Sequence, residues 1–177
     1  MLPLPLLKWS ICHGRSKMHN TANDEMPPAH YKRLGRELAM EFLFSCESKQ
    51  ELPGAAAFDI FLESVKEEFS LEDNRITRRA RDYAVRIYEA VACNMEKIDE
   101  IITAHCRNWD IDRLSGVDRN IMRVAIAEML EFPEVPPVVS IDEAVGIARD
   151  FSGVEAGNFI NGVLNSVKDS GIGNNGR

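Results

Sequence analysis

The sequence predicts an all-α protein of about seven helices. Apolar residues recur at three- and four-residue spacing over most of the stretch from residue 30 to residue 169, which is the helical period. Strand signals are nearly absent, because no Asn-Gly hairpin lies between alternating runs and Asn175-Gly176 falls in the tail. The breaks between helical stretches are short, and short connections favour antiparallel neighbours in a bundle.

The elements follow in order. Leu34, Leu38, Phe42 and Cys46, widened by Ala39 and Leu43, make one apolar stripe, so a first helix is expected from about Tyr31 to Ser48. Pro53-Gly54 breaks it. Phe58, Phe61, Leu62, Val65 and Phe69 face one side of a second helix. Asp73-Asn74 is a cap signal for a third, with Ile76, Ala80, Tyr83, Ile87 and Val91 on one side. Ile98, Ile101, Ile102 and His105 mark a fourth. Ser115 caps a fifth, whose inward residues are Val117, Ile121, Val124, Ala125 and Leu130 and which Pro133 stops. Pro136-Pro137 makes Glu134 to Val139 extended. Ser140 with Glu143 reads as a capping box for a sixth helix carrying Ile141, Ala144, Val145, Ala148 and Phe151. Phe159, Ile160, Val163, Leu164 and Val167 lie on the seventh.

Residues 1–29 hold Pro3, Pro5, Pro27 and Pro28 and no sustained period, so they are expected to be a flexible extension, with Met18 and Met26 as internal start candidates. A helical domain spans 30–169, and 170–177 is a Gly/Asn-rich tail expected to fray. A chain of 177 residues buries about 70% of its unfolded surface and needs neither metal nor disulfide. The first apolar run, Leu2 to Leu7, is too short to span a membrane. Cys12, Cys46, Cys93 and Cys106 lie far apart without a C-x-x-C pair, so they read as buried, reduced thiols of a cytoplasmic protein.

Chemistry is sparse. No phosphate-binding loop or nucleophile elbow occurs, and His105 on an apolar face reads as a satisfied core histidine. No catalytic residue, metal ligand or cofactor is assigned. With 21 Lys and Arg against 28 Asp and Glu, the net charge is -7, so any nucleic-acid contact must come from a local patch. Lys32, Arg33 and Arg36 cluster where the first helix starts. Arg75, Arg78, Arg79, Arg81 and Arg86 cluster where the third starts, and Arg119 and Arg123 are a turn apart on the fifth. Cations at a helix start oppose its dipole and are not placed for helix stability. Phosphate contact and plain solvated charge are both open readings, and Arg78 and Arg79 have carboxylates within reach along the chain.

Asn108 to Leu130 reads NWDIDRLSGVDRNIMRVAIAEML, preceded by NMEKIDEII and followed by VSIDEAVGIARDF and NFINGVLN. With GRELAMEFLFSCE, Gly35 to Glu47, these motifs resemble, in order and spacing, the NusB family of bacterial transcription antitermination factors, over about Tyr31 to Val167. The resemblance implies two packed helical subdomains. It implies RNA binding without catalysis: pairing with ribosomal protein NusE, recognition of single-stranded boxA in ribosomal RNA leaders, and loading of an antitermination complex on RNA polymerase in the cytoplasm, away from membranes. Carried onto this chain, the RNA residues are Lys32, Arg33, Arg36, Arg123, Phe159 and Asn161, and the NusE residues are Phe44 and Asp118. Phe44 stands where the family commonly has tyrosine, and the first helix is poorer in arginine than is usual. The run Arg75 to Arg86 has no counterpart in the family contact pattern. Phe159 fits both a stacking face and a core position. Two other readings stand beside this one: the same domain heads a class of ribosomal RNA methyltransferases, and a protein-only adaptor or homodimer needs no RNA.

Overall fold

The computed structural model describes residues 29–47, 52–54, 56–69, 72–106 and 113–172. Among the described residues there are six helices and no strand: α1 Ala29–Cys46, α2 Ala56–Phe69, α3 Arg75–His105, α4 Gly116–Glu131, α5 Pro137–Phe151 and α6 Val154–Asp169. The first helix starts at Ala29, the last residue assigned to the extension. The rest of the extension and residues 173–177 lie outside the described residues, whereas Ile172 packs partly buried on the core.

Two groups of helices meet along α4. In the first, α1 packs chiefly on α3, and α2 closes over an aromatic cluster. Phe42 of α1 lies 4.9 Å from Phe58, 5.2 Å from Phe61 and 4.8 Å from Tyr88 between ring centroids. Such tilted contacts suit aromatic quadrupoles. The Tyr88 hydroxyl donates to the Pro53 carbonyl and pins the α1–α2 connection. In the second group, α5 and α6 pack as a hairpin joined by Ser152 and Gly153. α4 touches both groups, and from Asn120 to Met129 all its residues except Arg123 are buried. A helix buried nearly all round belongs in the middle of a bundle.

Two of the expected caps are present. Asn74 Oδ1 accepts from the Ile76 and Thr77 amides at 2.9 and 3.0 Å. Ser115 Oγ accepts from the Asp118 amide at 3.1 Å. The capping box is not: α5 begins at Pro137 behind Pro136, with no side-chain cap. Proline at the first helical position lacks only an N–H that would have had no helical partner. Val138 and Val139 are thus helical and exposed, and Ser140 is free to point inward.

The expected third and fourth helices are one helix with an internal kink. Asn94 has non-helical torsions (φ -120°, ψ 16°), and its Nδ2 donates to the Ala90 carbonyl at 2.9 Å. A side chain competing for the backbone ladder bends a helix without ending it. Cys46 and Cys106 are buried as expected, but Cys93, beside the kink, is exposed. Cys12 lies outside the described residues. His105 is half-buried, with Nδ1 2.8 Å from Ser166 Oγ of α6.

Gly35 sets the spacing of α1 against α3. A Cβ there would lie 2.9 Å from the Ala80 carbonyl oxygen and 3.0 Å from the Tyr83 ring. Only glycine permits that approach.

Candidate nucleic-acid interface

The three cations that open α1 occupy three different environments. Lys32 is half-buried, its Nζ 5.4 Å from the centre of the Tyr83 ring, with no ion-pair partner among the described residues. Arg33 reaches across to α5. Its Nε lies 2.6 Å from Glu37, its Nη2 2.8 Å from Asp150 and its Nη1 3.8 Å from Glu143. Burial works against its charge, yet Glu37, Glu143 and Asp150 together hold its pKa above the ordinary value.

Arg36, expected at the RNA, is 3% exposed. Its Nε lies 3.1 and 3.2 Å from the two Glu128 oxygens, and its Nη2 is 3.0 Å from Oε2. Glu128, 0% exposed, also accepts from the Tyr83 and Ser140 hydroxyls. One carboxylate therefore collects donors from α1, α3 and α5, which is how a buried charge becomes tolerable. Burial first, and then the Glu128 charge, push the Tyr83 hydroxyl pKa well above the ordinary tyrosine value.

Arg123 is likewise engaged. Its Nε and Nη2 pair with the two Asp99 oxygens at 2.8 and 2.7 Å, and its Nη1 meets Asn120 Oδ1 at 3.1 Å. This fork-to-fork pair ties α4 to α3. On α6, Asn161 is exposed and its Oδ1 accepts from Asn165 at 3.0 Å. Phe159 is half-buried against the edge of the core, between the two readings that the sequence left open. α5 lies between these residues and the start of α1: Arg33 reaches Glu143 and Asp150, while Gly157 of α6 lies against Val145 and Arg149.

Phe44 packs where α1 ends against the start of α4, at Gly116, two residues before Asp118. A Cβ on Gly116 would lie 2.8 Å from the Phe44 ring, so glycine lets that ring close over the α4 start. Glu47 Oε1 accepts from Arg119 at 2.8 Å and from Asn120 at 2.9 Å, bracing the same corner. Asp118 Oδ1 is buried without a hydrogen-bond partner. Phe44, unlike tyrosine, brings no hydroxyl to it.

The arginine run of α3 divides as well. Arg81 is bidentate on Asp59 at 2.8 and 3.0 Å, and Arg86 pairs with Glu134 at 3.1 Å while its guanidinium lies 4.5 Å from the Phe132 ring centre. Glu134 is held below its ordinary pKa, first by its own backbone N–H and then by Arg86. Arg79 instead lies over Tyr31, 4.3 Å from the ring centre, and Tyr31 meets Tyr83 edge-on at 6.1 Å. No motif joined Arg79 to Tyr31. Their only signal was that cations sat where two helices start.

The sequence model of the NusB family matches residues 33–169. The chain belongs to the NusB family. A transcription antitermination protein NusB of Chloroherpeton thalassium is 37% identical over 145 residues, covering 80% of this chain and 64% of that protein. This chain thus spans less than two thirds of that relative's length. The NusB of Desulfosudis oleivorans is 37% identical over 136 residues, covering 77% of this chain and 84% of the relative. Among solved structures, one of antitermination factors NusB and NusE in complex with double-stranded RNA aligns with a TM-score of 0.64 at 26% identity, over 80% of this chain and 98% of the other. A Thermotoga maritima NusB aligns with a TM-score of 0.60 at 31% identity, over 78% and 90%. No helix among the described residues is long and apolar enough to cross a membrane.

Proposed function

We propose that this NusB family member is a transcription antitermination factor that acts by binding, without catalysis, in the cytoplasm. It pairs with ribosomal protein NusE, and the pair holds single-stranded boxA RNA of a ribosomal RNA leader, supporting the processivity of RNA polymerase. The observation that carries this reading is the likeness to a NusB solved together with NusE and RNA. Two features of the site support it. The Phe44–Asp118 corner offers NusE an apolar face beside a buried carboxylate oxygen that lacks a donor. Lys32, Phe159 and Asn161 offer RNA a cation, a ring edge and an amide, the group types that hold unstacked single strands. Arg33 and Arg123 serve this surface from inside ion pairs, setting its shape more than its free charge.

The test is an anisotropy titration of labelled boxA RNA with this chain alone and with NusE added. Binding is expected to be weak alone and markedly tighter with NusE. Equal affinity in the two arms would refute the joint site.

A further inference from the structure

We propose that the RNA surface extends beyond α1 onto the start of α3, where Lys32, Arg75 and Arg79 follow the phosphates of nucleotides flanking boxA and Tyr31 receives a base. This rests on the RNA-binding reading above. Four observations lead to it. First, Arg79 lying over Tyr31 at 4.3 Å fixes the starts of α1 and α3 side by side. Second, Lys32, Arg75 and Arg79 have no ion-pair partner among the described residues, whereas Arg33, Arg36, Arg81, Arg86, Arg119 and Arg123 all do. In a chain carrying 28 Asp and Glu, three cations at one corner without a close ion pair make a locally positive patch, although Lys32 still feels the Glu134 carboxylate. Third, neither α1 nor α3 has an acidic residue in its first turn, and the nearby carboxylates Asp73 and Glu134 already pair with Arg78 and Arg86. Fourth, Arg75 is one helical turn before Arg79 and shares its face, and both are exposed.

Cations aligned beside an aromatic ring match a sugar–phosphate strand with unstacked bases better than a folded acidic protein surface. Arg79 has a definite part in this. In the free protein its guanidinium covers the Tyr31 ring. Swung onto a phosphate, it uncovers that ring for a base, so that one rearrangement creates both contacts.

The experiment uses the full chain with NusE, and two RNAs: boxA alone and boxA with about eight flanking nucleotides on each side. Affinities are read across salt for wild type, Arg75→Ala/Arg79→Ala, and Lys97→Ala as an exposed control elsewhere on α3. Each phosphate contact to a single strand contributes about 0.7 to the log–log salt slope. The double variant is therefore expected to lower the slope by about 1.4 on the long RNA and to bind it on the order of tenfold more weakly near 0.1 M salt, with little change on the short one. Lys97→Ala should match wild type on both. Unchanged slope and affinity of the double variant on the long RNA would overturn the patch while leaving boxA binding intact. An equal loss on both RNAs, a loss confined to NusE affinity, or the same loss from Lys97→Ala would overturn it too. Failure of wild type to bind either RNA would remove both readings together.

Discussion

Arg36→Ala separates a structural arginine from an RNA-binding one. In the fold, Arg36 is 3% exposed and its partner Glu128 is 0% exposed. Removing the guanidinium takes three hydrogen bonds from that carboxylate and leaves it with only the Tyr83 and Ser140 hydroxyls. Breaking a buried pair from one side costs about 3–5 kcal/mol. Domains of this size have about 5–15 kcal/mol in total, so about a fifth or more of the stability goes. At about 2–4 °C per kcal/mol, the melting temperature should fall by roughly 6–20 °C. The assay is a thermal melt by circular dichroism, run beside Arg36→Met/Glu128→Leu, which removes both charges and keeps the volume. The double variant should recover much of the loss, because no unpaired charge remains. An Arg36→Ala protein that melts with wild type and only loses RNA affinity, with a shallower salt slope, would refute the burial argument.

Two further outcomes are expected. Gly35→Ala should destabilise by about 1–3 kcal/mol in denaturant titrations: alanine gains helix propensity, but its Cβ would lie 2.9 Å from the Ala80 carbonyl oxygen and force α1 from α3. Stability should also decline as pH rises above about 10, because burial pushes the Tyr88 hydroxyl up from 10.0 to about 12 and raises Tyr83 as well. In that window the unfolded chain loses protons that the native state keeps, so rising pH favours unfolding. Urea melts from pH 9 to 11.5 should show a shallower decline for Tyr88→Phe.

Local signals were legible and distant ones were not. Asn74 and Ser115 announce their helices because a cap bonds only two or three residues ahead. The stripes of α1, α4 and α6 show the core because burial follows the helical period. Ser140 misled for the same local reason: it has the spacing of a capping box, but its hydroxyl is bound to Glu128 on another helix. The Asn94 kink was read as a gap because the apolar stripe is interrupted there, yet no glycine or proline ends the helix. Of the candidate site, the family motifs named residues on α1, α4 and α6. They did not reveal which cations are already paired, since Arg36 and Glu128 are 92 positions apart. Arg33 and Asp150 are 117 apart.

The separation of Arg36 from its partner also bears on how the chain is made. Glu128 follows Arg36 by 92 residues, so at about 5–20 residues per second the ribosome needs roughly 5–20 s to deliver it. During that interval the guanidinium has only water and the nascent chain to meet. The α1–α3 half therefore cannot adopt its final packing as it emerges. That packing is completed when α4 arrives carrying the carboxylate, and Ser140 adds its bond twelve residues later. Completion of the fold is thus tied to synthesis of the C-terminal half.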